Sequence, residues 1–370
     1  MVNFKVAQSE KKDAIEAVTS LKEQLSDIDA CLVLFFVSSS YPPDTICKAM
    51  AESFTDAHTV GCTTAGEIST GKMGVNSIVA MAWGRDALKE LKIEVLENIK
   101  TDPNAVAKAF KSFETSLGQQ MKYLDPTRYA GIVIFDGMSG CEEIINDQIG
   151  NQTNVPFVGG TAGDDLKFLC TYLFLNGKTY SEGAILMLME PSNGFEILKT
   201  QSCELTGKKL TPTKVDEKQR MVIEFDDKPA ALAYSQALNV SVDDLPKYFS
   251  TYPFGLVFDE ENIFIRGVIY IMEDLSLKFA CLLKQGLELD ILHSRDIIAD
   301  TKAYLEKHKI DDKQAIVEFH CAYRFIELSA KNQLKEYPEL FGNVPTIGFS
   351  TYGESYIGHI NQTSTMLILK

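Results

Sequence analysis

Three short segments combine glycine with hydroxyl and carboxylate side chains, the residue types that hold a small polar molecule through backbone N–H groups, hydroxyls and charge. They are Gly61-Cys-Thr-Thr-Ala-Gly-Glu67, Gly159-Gly-Thr-Ala-Gly-Asp-Asp165 and Gly348-Phe-Ser-Thr-Tyr-Gly-Glu354. Candidate ligand contacts within them are Cys62, Thr63, Thr64, Gly66, Glu67, Gly160, Thr161, Gly163, Asp164, Ser350, Tyr352, Gly353 and Glu354. A purely structural role stands beside this one, since glycine also permits the tight turns on which two sheets pack. Asp136, Cys321 and Arg324 join the set because each leaves the end of an apolar run. The guanidinium fork of Arg324 suits a carboxylate, and a salt bridge to Glu327 or Glu354 is the alternative. Arg266 stands inside Ile263-Phe-Ile-Arg-Gly-Val-Ile-Tyr270, where a charge must be paired or face a cavity.

Other chemistry is weaker. Gly66 to Lys72 fits GxxxxGK, but Met73 follows where a phosphate loop needs Ser or Thr, and the chain runs on toward a strand, not a helix. Ser139, in Asp136-Gly-Met-Ser-Gly140, lacks the spacing of a nucleophile elbow, and a helix-capping turn is its alternative. None of the five histidines shares a helical face with another metal-type ligand. The eight cysteines include no CxxC pair, and no Cys and His stand at zinc-finger spacing.

The elements that position these residues recur. Cys31 to Val37, Gly131 to Phe135 and the run from Ala315 read as buried strands. Each is followed by a helix, then one of the glycine segments, then a closing apolar strand: Ser77 to Trp83, Ala184 to Met189 and Thr365 to Leu369. The link from glycine turn to closing strand is too short for a helical crossover, which predicts antiparallel neighbours. Helices are also expected over Lys11 to Leu25, Pro103 to Phe113, Pro229 to Leu238 and Asp300 to Lys307. An echo between Leu91 to Leu96 and Leu287 to Leu292, each preceding a helix, suggests two halves built on one plan. Gly207 to Lys218 reads as a polar, turn-rich link. The predicted fold is α/β (α+β): two related domains of mixed, partly antiparallel sheets flanked by helices, divided as 1–225 and 226–370.

Composition bounds the function. The 370 residues carry 36 Lys and Arg against 51 Asp and Glu, for a formal net charge of −15. Without a basic run the chain cannot displace counterions from a duplex, and an anionic membrane surface is equally disfavoured. No apolar run reaches the length of a bilayer span, and no leader is visible, so a cytoplasmic protein is expected.

These motifs, in this order, resemble the FIST family. Its first module is matched by Val60 to Glu67 and Phe157 to Asp164, and its junction by Thr211 to Lys214 and Ile223 to Ala230. Its second module is matched by Arg266, Gly286, Phe319 to Arg324 and Gly348 to Glu354. Asp227-Lys228 and Tyr323 depart from the family pattern, which has glycine more often after the Asp and before the Arg. The resemblance implies a sensor that binds a small molecule such as an amino acid and signals. No output module is fused here, so the expected partner is a separate histidine kinase, cyclase or chemoreceptor. Arg266 and Arg324 would clamp an anionic group, with the glycine turns lining the pocket and no cofactor. The alternatives are a haem-based nitric oxide sensor with His320 or His359 as axial ligand, and a hydrolase using Cys62, Cys321 or Ser139.

Overall fold

The computed structural model describes residues 3–259 and 262–370. Two compact units emerge: Met1–Lys199, Lys302–His359 and Ser364–Lys370 form the first, Thr200–Thr301 and Ile360–Thr363 the second.

In the first unit three sheets share one strand order. The first sheet runs Phe4–Ser9, Ile78–Gly84, Ala30–Ser38, His58–Thr64 and Leu173–Leu175. The second runs Leu88–Leu96, Ala184–Pro191, Ala130–Phe135, Phe157–Thr161 and Glu354–Tyr356. The third runs Phe195–Gln201, Thr363–Leu369, Ala315–Cys321, Thr346–Thr351 and Glu67–Ser69. In each, the first apolar strand and the strand entering the glycine turn are parallel. The helix between them makes that crossover: Pro43–Ser53, Glu142–Gly150 or Ala322–Ala330. The closing strand is antiparallel, as its short link requires, but it pairs with the first strand of its copy, not with the strand that enters the turn.

The short strand after each glycine turn leaves its own copy. Glu67–Ser69 joins the third sheet, Leu173–Leu175 the first and Glu354–Tyr356 the second, all antiparallel. The exchange closes on itself, so no copy completes a sheet alone. One glycine per copy sits at the crossing. An added Cβ would lie 2.1 Å from the Phe35 carbonyl at Gly61, 1.7 Å from that of Val133 at Gly159, and 2.5 Å from that of Glu318 at Gly348.

The apolar runs read from the sequence are strands because both of their faces are covered. Inner faces of all three sheets meet in one cluster around Leu34, Phe36, Ile132, Ile134, Val317 and Phe319. The outer face of the first sheet packs Phe35 and Val37 under the helices Ala14–Gln24 and Pro43–Ser53. That of the second packs Val133 and Phe135 under Ala105–Leu117 and Glu142–Gly150. Asp13 starts the first of these helices by accepting from the Ile15 and Glu16 amides, and left-handed Gly118 (φ 69°) ends Ala105–Leu117.

The second unit has two antiparallel sheets. Cys203–Leu210, Leu289–Ser294, Phe254–Val257 and Ile263–Arg266 form one, with Pro212–Asp216, Met221–Phe225, Leu277–Phe279 and Val268–Ile271 in the other. The helix Ala230–Leu238 contributes Tyr234 to an aromatic core with Phe225, Phe254 and Phe279. The stretch expected as a turn-rich link is thus strand on both sides of Thr211. The echo of Leu91 to Leu96 in Leu287 to Leu292 also resolves differently. The strand matching Leu88–Leu96 in sheet order is Phe195–Gln201, whereas Leu289–Ser294 pairs with Cys203–Leu210 inside the second unit. Along the chain, that unit interrupts the third copy between its edge strand and its helix Ile297–Lys307.

Candidate functional site

The hairpin exchange brings the three glycine turns together, and they bond to one another. The Gly163 amide donates to the Thr63 carbonyl at 3.0 Å and that of Asp165 to Thr64 at 2.9 Å. Ala65 N–H donates to the Ser350 carbonyl at 3.1 Å, and Ser350 N–H to Gly66 at 2.7 Å. Thr161 N–H donates to the Gly353 carbonyl at 2.9 Å, and Tyr352 N–H to Thr161 at 3.1 Å. A Cβ on Gly163 would approach the Ala65 nitrogen to 2.6 Å, and one on Gly160 would meet Thr351 at 2.5 Å. The turns converge as a tight backbone junction.

Their acids also have partners close by. Thr64 Oγ1 donates to Glu67 and Thr351 Oγ1 to Glu354, each at 2.5 Å, so two copies repeat one threonine–glutamate bond. Glu67 takes the Ser77 amide and hydroxyl at 3.0 and 2.8 Å, and burial pushes its pKa up to about 7. Asp164 accepts the Phe168, Leu169 and Cys170 amides at 2.8, 2.7 and 3.0 Å and the Tyr352 hydroxyl. Asp136 accepts from the Met138 amide, Thr171 and the Glu182 amide. Cys62 lies in the shared core, where burial drives its thiol pKa well up, away from the reactive thiolate. Ser139 donates to the Asp136 carbonyl and accepts the Cys141 amide, which is turn chemistry. Lys72 lies in a strand that pairs with Glu67–Ser69, so GxxxxGK makes no phosphate loop. Thr63 and Asp164 reach a cavity of about 100 Å³ with Ser39, Tyr41 and Lys167 in its wall.

The third sheet is chemically different. On its outer face Glu318 and His320 are wholly buried, and Arg324 is 2% exposed. Arg324 Nε donates to His320 Nε2 at 3.3 Å, which places the proton of a neutral ring on Nδ1. Burial, and secondarily Arg324, lowers the His320 pKa well below its usual value. Glu318 Oε1 accepts the Tyr337 and Ser364 hydroxyls, both at 2.6 Å, and burial raises its pKa. Glu318 Oε2 and Ser350 Oγ have no partner among the described residues. Tyr337 touches both groups, its hydroxyl bonded to Glu318 and its ring 5.9 Å from the Arg324 guanidinium. Arg266 belongs to the second unit, where its Nη1 donates to the Ile265 carbonyl at 3.2 Å.

The FIST N domain model matches residues 31–228 of this chain and the FIST C domain model residues 230–356. The chain belongs to the FIST family. FIST domains are sensory modules that bind small ligands and serve signalling. An uncharacterized protein of Methanocaldococcus jannaschii is 23% identical over 317 residues, covering 80% of this chain and 60% of that protein. This FIST chain therefore spans about three fifths of the curated relative it matches.

The sequence reading singled out Arg324 as a ligand contact and His320 only as an axial ligand of the haem alternative. It did not single out Glu318, Tyr337 or Ser364, which the fold brings beside them. Glu318 was legible: an acid within Ala315-Ile-Val-Glu-Phe319 violates an apolar run just as Arg266 does. Tyr337 and Ser364 carried no signal, because only the fold brings them to Glu318.

Proposed function

We propose that this FIST protein is a cytoplasmic sensor whose ligand is a small polar molecule such as an amino acid. The observation that supports the reading is Arg324, a permanently charged group buried inside the first unit, whose Nε donates to His320 Nε2 at 3.3 Å. Burying a guanidinium is costly, and a site that must recognise an anionic group is a reason to retain it. Its signal passes to a separate protein of the histidine kinase, cyclase or chemoreceptor type. In support of action away from the bilayer, no described helix is long and apolar enough to cross a membrane.

Thermal shift against amino acids and small metabolites tests the reading. At a thousandfold excess over the dissociation constant a true ligand stabilises by about 4 kcal/mol, a shift of several degrees. A melting temperature unmoved by the whole panel refutes it.

A further inference from the structure

Each sheet of the first unit ends on a strand paired on one side only: Phe4–Ser9, Leu88–Leu96 or Phe195–Gln201. Such an edge offers unpaired N–H and C=O groups to any further strand, and proteins blunt it with a covering group or an inward-turned charge. Two of the three edges are blunted. In the first, the Gln24 side chain reaches from its helix to the Gln8 backbone, donating to the carbonyl at 2.9 Å and accepting the N–H at 3.4 Å. In the third, Lys199 follows Phe195 and Ile197 on the core-facing side, its ammonium 5.7 Å from the Tyr356 ring.

Leu88–Leu96 has neither protection. It is also the longest of the three, at 9 residues against 6 and 7. Its register is regular from Glu90 to Leu96, and the one irregularity lies at its start, opposite Glu190 and Pro191. Over the regular stretch its core-facing side carries only Leu91, Ile93 and Val95. All three are half-buried, whereas their partners Met189, Met187 and Ile185 are wholly buried. Among the described residues its backbone bonds only to the strand Ala184–Pro191. On the opposite face Lys92 meets Glu90 at 3.1 Å, and Ser112 Oγ donates to Glu94 at 2.5 Å.

The charges along this strand select an occupant. A second copy can add antiparallel about a twofold axis, which makes each contact occur twice. Odd registers would turn the core face of one copy to the solvent face of the other. Centred on Lys92 or Glu94, the pairing sets like charges opposite each other, and centred on Leu91 it sets Ile93 against Lys89. Centred on Ile93, it sets Lys92 opposite Glu94 and Leu91 opposite Val95, with Ile93 facing itself. Only this last register satisfies both faces of the strand.

We propose that Leu88–Leu96 is a self-association edge, on which a second copy of this chain pairs antiparallel about Ile93 and continues the second sheet across a twofold axis. The inference is independent of which ligand the protein senses.

The test uses the full chain in sedimentation velocity over a wide concentration series. The wild type should pass from monomer to dimer as concentration rises, and amide exchange over residues 89–95 should slow in parallel. Lys92→Glu sets carboxylate against carboxylate at both symmetry-related pairs, and Glu94→Lys sets ammonium against ammonium, so each should weaken the dimer ~10-fold or more. Mixing the two variants restores opposite charges at both pairs. The mixture should then dimerise as the wild type does, although neither component does so alone, a recovery that misfolded variants could not give. A wild type monomeric at every concentration, a dimer indifferent to both substitutions, or a mixture no better than its components overturns the proposal.

Discussion

Glu67 offers a quantitative check on how the turn junction holds. It is 1% exposed and lies among Thr64 and Ser77, with no cation bonded to it among the described residues. Burial raises its pKa from an ordinary 4.5 to about 7, against the lowering effect of its hydrogen bonds, and the charge of Asp165 adds to the rise. The sign follows from proton counting. Between these two values the folded protein keeps a proton that the unfolded chain has released, so stability falls as pH rises. The contribution is complete below pH 4.5 and gone above about 7. A rise from 4.5 to about 7 at about 1.4 kcal/mol per pH unit amounts to about 3 kcal/mol. Glu67→Gln keeps the shape and cannot ionise, so it lacks this fall. Urea denaturation of both proteins at pH 5 and pH 8 should show Glu67→Gln gaining about 3 kcal/mol on the wild type across the interval. Parallel stability curves would mean that Glu67 ionises as it does in water, and the account of a dry junction would be wrong.

Three further outcomes probe the same architecture. Gly159→Ala places a Cβ 1.7 Å from the Val133 carbonyl and should cost about 3 kcal/mol or more in chemical denaturation, while Gly140→Ala, with open space around it and only φ +64° to strain, should cost about 1 kcal/mol. Asp164→Ala releases three amides that hold a loop with left-handed Asp165, Leu166 and Phe168, so hydrogen exchange over residues 165–170 should accelerate and stability fall by about 3 kcal/mol. Cys170 is exposed whereas Cys47, Cys62, Cys141, Cys281 and Cys321 are buried, so Cys170→Ser should remove the fastest phase of thiol labelling in the native protein.

Much of the fold was legible because its strands are covered on both sides and read as unbroken apolar runs: Leu32 to Val37, Ile132 to Phe135 and Ile316 to Val317 all lie in the core. The strand–helix–strand period was equally visible. Three things were not. The exchange of short strands between copies depends on pairings such as Ile68 with Gly348, 280 positions apart, which no local pattern encodes. The echo around Leu287 misled because alternation marks any half-buried strand, whichever sheet it joins. The strands flanking Thr211 are rich in Lys, Thr and Gly, with Glu204, Lys208 and Lys209 exposed, so their period-2 signal is faint. As for the site, each glycine turn was found as a motif, but a motif cannot say whether its N–H groups face a ligand or the next turn. Here Gly163 and Ala65 spend theirs on neighbouring turns.

An internal threefold repeat separates what folding requires from what it does not. The glycine at each sheet crossing is present in all three copies because its environment forbids a Cβ in all three. The threonine–glutamate bond appears in two turns and closes the same i to i+3 geometry in both. Such shared features answer to the backbone, and changing them should damage the fold first. Glu318, His320 and Ser364 answer to nothing shared, since Phe35, Val37 and Ile78 build an equivalent sheet from hydrocarbon at the same register. Had the ionisable groups been needed to cover the sheet, the other two copies would need them too. Chemistry confined to one copy of three is therefore chemistry that the shared backbone plan does not require.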